Sequence, residues 1–171
     1  MKRNLFKLLP LLLLVCAVVL LRQNKGPQMT WMYIEEEAPS LEGVRFQMED
    51  HYSKKVKTIV YTITNQSPEE ISGGEPGGFH YVRAEQWTED GWRYWTIDPN
   101  QEFPDGVAYA PAAVGFGLTP GATSPEFSLP LKEMLPEVTP GRYRLAWDFM
   151  TEDPDEGRND YTVYQEFTIE P

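Results

Sequence analysis

Cysteine, histidine and, beyond the first 25 positions, basic residues are scarce in this sequence of 171 residues. A single Cys excludes a disulfide framework and a Cys-rich zinc site. Two His leave little material for a multi-His metal centre. Basic residues number 15 against 26 acidic ones, a net charge of -11. Five of those 15 (Lys2, Arg3, Lys7, Arg22 and Lys25) precede the first acidic residue, Glu35, so the rest of the chain holds 10 basic and 26 acidic residues, a net of -16. Nucleic acid is excluded as a partner, because phosphate binding needs a surplus of Lys and Arg. Helical periodicity is also missing: no interval between the glycines and prolines of the body carries an amphipathic stripe of about 12 residues.

What is present divides the chain into a basic, apolar head and an acidic body. Residues 1–22 carry Lys2, Arg3 and Lys7 ahead of an uncharged run from Leu8 to Leu21. Basic residues before an apolar run hold that end in the cytoplasm, so the body is expected outside it. The run is 14 residues long, or 17 counted from Leu5 with Lys7 reaching to the headgroups, which is signal-peptide length or a minimal span. It ends Val18-Val19-Leu20-Leu21 with no Ala-x-Ala cleavage pattern, which favours an uncleaved N-terminal hydrophobic helix as membrane anchor over secretion after cleavage. Lipid attachment at Cys16 is the third alternative. Val15 is a poor residue before a lipidated Cys, and five apolar residues follow it, so Cys16 reads as apolar filler. Residues 23–41 then form a linker with room for a first edge strand, and 42–171 form one domain.

The body alternates in the manner of strands punctuated by turns. Ile59, Tyr61 and Ile63 share one face, with Thr58 and Thr62 on the other. Tyr143, Leu145, Trp147 and Phe149 are expected inward, with Arg142, Arg144 and Asp148 facing water. Tyr161, Val163, Phe167 and Ile169 repeat the pattern. Further strands are expected at 43–49, 79–87, 92–97, 115–118 and 124–129, and Asp90-Gly91 signals a hairpin. The Pro-rich stretch 98–114 reads as an irregular crossing or edge cover. A chain of this length with helix-free connections is expected to be an all-β sandwich or barrel.

Several motifs then fall in a telling order. Thr64-Asn65-Gln66-Ser67 ends an early strand, followed by Ile71 and Gly74, then Asp90-Gly91-Trp92, Leu118-Thr119-Pro120-Gly121, and Val138-Thr139-Pro140-Gly141-Arg142-Tyr143-Arg144-Leu145. Over about residues 42–170 this series resembles the bacterial immunoglobulin-like domains of Gram-positive surface proteins. The resemblance implies an immunoglobulin-like antiparallel β-sandwich of about seven to nine strands. It also implies an exported binding or spacer module of the cell surface with no catalytic residues. The chain lacks the Cys pair of an intersheet disulfide, and 98–114 is longer than such domains have. The turn stands on its own physics: Pro140 fixes φ, Gly141 can take a positive φ, and the pair turns the chain into a strand. Tyr143 is placed either as a core aromatic or as a corner tyrosine bonding the incoming loop.

Catalytic constellations fare poorly. The body has no Cys, Ser has only His51 and His80 as candidate bases, and no Gly-x-Ser-x-Gly elbow occurs. His51 reads as exposed in a polar turn, and His80 as a half-buried strand residue. Gly73-Gly74-Glu75-Pro76-Gly77-Gly78 lacks the Lys and Ser/Thr of a phosphate loop and reads as a flexible strand connection. Asp153, Asp155 and Asn159 could line a calcium loop within 152–160, but Arg158 opposes a cation and an exposed hairpin loop is expected. No spacing singles out a carboxylate pair for glycoside hydrolysis. No enzyme, cofactor or metal site is therefore expected.

An aromatic hairpin remains. Trp87, Trp92, Tyr94 and Trp95 place three of the chain's five tryptophans within nine residues. Alternation sets Trp92 and Tyr94 on one face and Trp95 on the other. A core Trp with cross-strand ring pairing is the expected role of the hairpin, with at least one ring left exposed. Exposed Trp and Tyr rings suit a protein partner or a sugar, so these four are the candidate ligand-binding residues of either a surface-protein module or a carbohydrate-binding module.

Overall fold

The structure, a computed structural model, describes residues 27–77, 81–101, 115–153 and 157–171. The chain divides into two compact units, residues 1–30 with 97–109 and residues 31–96 with 110–171. In the first, the Asp98 N–H donates to the Gln28 carbonyl and the Asp98 carboxylate accepts from the Asn100 N–H, a local turn. The second holds the core.

The described residues form eleven strands, one 3-10 turn at Leu131–Glu133 and no α-helix. The larger sheet contains β1 (Met29–Tyr33), β3 (His51–Ser53), β5 (Ile71–Gly74), β6 (Val82–Thr88), β7 (Gly91–Ile97), β8 (Gly115–Leu118), β10 (Gly141–Asp153) and β11 (Gly157–Glu170). Its main order is β1-β7-β6-β10-β11-β3, and β5 pairs with both β10 and β8. The smaller sheet is β2-β4-β9, from β2 (Val44–Gln47), β4 (Thr58–Asn65) and β9 (Phe127–Pro130). β3 runs parallel to β11, with Ile169 opposite Tyr52, while the pairings among β2, β4, β5, β6, β7, β8, β9, β10 and β11 are antiparallel.

Strand alternation fills the space between the sheets. Ile59, Tyr61 and Ile63 of β4, Val44 and Phe46 of β2 and Leu129 of β9 are buried in one cluster with Val82 and Ala84 of β6. Tyr143, Leu145, Trp147 and Phe149 of β10 and Val163, Phe167 and Ile169 of β11 complete it. Burying each large side chain contributes about 1.5–3 kcal/mol against the entropy of ordering the chain. Rings lock the packing: Tyr143 stacks on Phe167 and Trp147 on Phe149, with centroids 5.6 and 5.3 Å apart. Burial raises the Tyr61 pKa well above its ordinary value, and its hydroxyl donates to the Pro76 carbonyl.

Three sequence signals act as turns. Thr119-Pro120-Gly121-Ala122 closes with the Ala122 N–H on the Thr119 carbonyl, and Gly121 takes φ +80°, the conformation a type II turn demands at that position. Asn65 is wholly buried. Its amide donates to the Glu69 and Leu118 carbonyls, and its side-chain oxygen accepts from the Ser67 N–H and hydroxyl. Tyr143 is at once core and corner: it is fully buried, and its hydroxyl donates to the Thr139 carbonyl at 2.8 Å. Removing that hydroxyl with Tyr143→Phe is expected to cost about 1–3 kcal/mol, because a part-buried carbonyl loses its donor, and a shifted urea midpoint at unchanged slope would register it.

The structure departs from several sequence expectations. Eleven strands replace seven to nine, because β3 and β5 are too short to alternate visibly. His51 lies in β3, not in a turn, though its side chain is exposed. The first part of the glycine-rich connection is strand: Ile71–Gly74 pairs with β10 on one side and β8 on the other. Gly73 permits this, since a Cβ there would meet the Asp148 carbonyl oxygen at 2.9 Å. The strand expected at 124–129 is shifted to Phe127–Pro130. Arg144 does not face water; it is 4% exposed. The N-terminal hydrophobic helix, Cys16, His80, most of 98–114 and the centre of loop 152–160 lie outside the described residues. Among the described residues no helix is long and apolar enough to cross a membrane.

Candidate functional site

The β6–β7 hairpin turns at Thr88–Gly91, where Gly91 has φ +113°. Its register sets Trp87 opposite Trp92 and Glu85 opposite Tyr94. Pairing with β10 sets Glu85 opposite Arg144, and β11 sets Tyr164 opposite Ala146. Because Tyr143, Leu145 and Trp147 point into the core, the residues alternating with them share the outward face of the large sheet. That face carries three of the four candidate rings and a chain of charges.

At one end lies Trp87, 45% exposed, edge-on to Trp92 with centroids 5.1 Å apart. The Arg142 guanidinium sits 5.2 Å from each ring centroid and is gripped by Glu166 through two bonds of 2.8 and 2.7 Å. Those bonds raise the Arg142 pKa above its ordinary value. Trp92 itself is buried.

At the centre lies Arg144. Its guanidinium is 4.3 Å from the Trp92 centroid and 4.1 Å from that of Tyr164. Nε donates to Glu85 Oε2 at 2.5 Å and Nη1 to Glu37 Oε1 at 2.5 Å, while Nη2 is buried with no hydrogen-bond partner among the described residues. Glu85 is 0% exposed, and its other oxygen accepts from Arg83 Nε at 2.7 Å. Arg83 also donates to Asp148 and lies over Tyr94, 5.7 Å from its centroid. Burial alone would lower the Arg83 pKa; the Asp148 and Glu85 carboxylates more than offset it and leave it raised. Asp148 accepts in turn from the Thr162 hydroxyl at 2.6 Å. A buried carboxylate needs this density of donors, since neither charge could be left alone there.

Glu37 reaches Arg144 from outside. It belongs to residues 34–40, a strap whose Ile34 N–H donates to the Trp92 carbonyl on β7. At its other end the Pro39 carbonyl accepts from the Thr162 N–H on β11, and the Ser40 hydroxyl donates to the Thr162 carbonyl. The strap therefore crosses the outward face over β6 and β10. All of residues 35–40 are exposed. A cavity of about 430 Å³ opens beside it, lined by Ala38, Gly73, Asp148, Asp160, Tyr161 and Thr162.

The fourth candidate ring is elsewhere. Trp95 lies on the opposite face, edge-on to Trp31 at 5.3 Å, where the Arg93 guanidinium stands 4.1 Å from the Trp31 centroid. Of the four, the structure thus brings together Trp87, Trp92 and Tyr94. Sequence reading missed Arg144, Glu85 and Glu37. The available signal was charge complementarity: Arg83 and Glu85 on one strand and Arg144 and Asp148 on another alternate in step, which is the pattern of cross-strand ion pairs.

Chemically the face offers flat rings, a guanidinium held between two of them, and paired carboxylates. Among the described residues no group of three or more His, Cys, Asp or Glu could hold a metal ion. Groups of these kinds interact by stacking and by charge. A scan against models of protein families finds no match to the chain, and no curated protein matches it by sequence.

Proposed function

We propose that the chain is an immunoglobulin-like binding module of the cell surface, held at the outer side of a membrane by its N-terminal segment, and that it works by recognition without catalysis. The observation that carries the reading is strand order. An immunoglobulin sandwich sets its first, second, fourth and fifth strands in one sheet and its third, sixth and seventh in the other, with added strands beside the third in variable types. The sheets β2-β4-β9 and β7-β6-β10-β11 follow that arrangement in seven strands, with β5 inserted between second and third. Among the described residues the fourth strand is missing from the smaller sheet, and β8 pairs with β5 in the larger one instead. The Tyr143 corner supports it, since such domains carry a tyrosine near the start of the sixth strand bonded to backbone just upstream. Export rests on the basic residues that precede the apolar run at the head of the chain.

Protease shaving of intact cells, followed by immunoblotting, tests the topology. The body is expected to disappear while a short cell-associated fragment remains; a body protected until the cells are lysed would overturn the placement.

The alternative reading, a carbohydrate-binding module, is favoured by Trp87, the exposed ring with Arg142 beside it. Tryptophan fluorescence titrated with cell-wall polysaccharides decides it. A saturable change abolished by Trp87→Ala supports glycan binding, and a flat titration ends that reading.

A further inference from the structure

We propose that the outward edge of Arg144 is a carboxylate-binding site, that Glu37 of the strap occupies it in cis, and that an acidic peptide of a partner protein takes its place. The inner and outer halves of the guanidinium are held differently. Its Nε is fixed by Glu85, which has no exposed surface. Its Nη1 is held by Glu37, whose side chain is 56% exposed. Nη2 is buried, on a side chain 4% exposed, and has no hydrogen-bond partner among the described residues. A guanidinium presents two parallel donors to a carboxylate, and here one of the two is unused, so Glu37 is an incomplete occupant.

Trp92 and Tyr164 hold the group between their rings, so its orientation does not depend on Glu37. The strap also shows the form of the guest. It reads Ile34-Glu35-Glu36-Glu37-Ala38-Pro39-Ser40, bends at Glu35 and Glu36, and is tied by main-chain bonds at its two ends. The chain has only 10 basic residues beyond position 25, and three of them, Arg83, Arg142 and Arg144, lie on this face. Arg83 and Arg142 are already paired with Glu85, Asp148 and Glu166, so the carboxylate preference rests on Arg144. The inference needs only the sheet and the strap, so its failure would leave the result of protease shaving untouched.

The test uses the full chain in detergent and a labelled synthetic peptide with the sequence of residues 34–40. The chain carrying Glu37→Gln is expected to bind the peptide about tenfold tighter than the unsubstituted chain, because an occupied site binds only in its open fraction. The same peptide carrying Glu37→Gln is expected to lose about tenfold, a lost charge-assisted pair. A chain carrying Arg144→Met with Glu85→Met, which replaces both charges together, is expected to unfold at a similar urea concentration and to bind nothing. No binding by the Glu37→Gln chain, equal binding of the two peptides, or binding by the doubly replaced chain would overturn the proposal. Dimerisation of the Glu37→Gln chain without peptide would put a second copy in the groove, and tighter capture of polygalacturonate would put an acidic glycan there; either replaces the peptide partner.

Discussion

Arg144→Met alone is expected to lower the unfolding free energy by about 3–5 kcal/mol, the cost of breaking a buried ion pair from one side. Glu85 has no exposed surface and would keep Arg83 on one oxygen while losing the donor on the other. Trp92 and Tyr164 would lose the cation between them. A domain of this kind has roughly 5–15 kcal/mol of stability in total, so the change takes a large share of it. Two companions separate the causes. Replacing Glu85 with Met as well removes the stranded charge and should restore most of the loss, since apolar replacement of a buried pair is often neutral. Glu37→Gln breaks only the exposed pair and should cost no more than about 1 kcal/mol. Urea unfolding followed by fluorescence and circular dichroism reads all three. A single replacement at Arg144 that costs under about 1 kcal/mol would return the arginine to solvent, where strand alternation first put it.

Trp147→Ala is the second large effect, expected at about 3–5 kcal/mol from lost transfer energy and the cavity left behind. The ring is fully buried at the centre of β10, stacks on Phe149 and meets Phe116 of β8 edge-on. Its indole nitrogen donates to the Gly74 carbonyl at 2.9 Å, tying β5 to the core. Trp147→Phe keeps most of the packing and loses the donor, so about 1–3 kcal/mol is expected from the unpaired carbonyl. Nearly equal losses for the two substitutions would mean that the hydrogen bond, not ring volume, dominates at this position.

The two substitutions fall on one strand and differ in how readable they were. Trp147 was legible as core because Tyr143, Leu145, Trp147 and Phe149 alternate without interruption, and a pleated strand puts such a set on one face. Arg144 was misread by the same rule. Alternation assigned it correctly to the face opposite the core, but outward does not mean wet. Whether that face meets water depends on what lies over it, and the cover comes from Glu37, 107 positions away.

Turn chemistry was readable where a single residue carries it. Pro120-Gly121 and Asp90-Gly91 punctuate the chain through φ values that other residues resist, so their effect is local. The Asn65-Gln66-Ser67 signal was also local in part, since Asn65 bonds Ser67. Its bond to the Leu118 carbonyl, 53 positions on, was invisible. The parallel pairing of β3 with β11 and the double pairing of β5 were hidden as well, because strands of three and four residues give too little alternation to be seen.

By itself, then, the sequence determined the all-β character, the inward set on β4, β10 and β11, the tight turns and the separation of a basic head from an acidic body. Each follows from the period of a strand, the φ of one residue or the order of charges along the chain. Tertiary structure alone decided which outward residues are covered, how Glu37, Arg144, Glu85, Arg83 and Asp148 form one charge chain, and that a buried guanidinium is left with an unused donor. Those properties depend on distances between strands far apart in sequence. Burial and charge pairing are properties of the space around a side chain, and no stretch of neighbouring residues specifies that space.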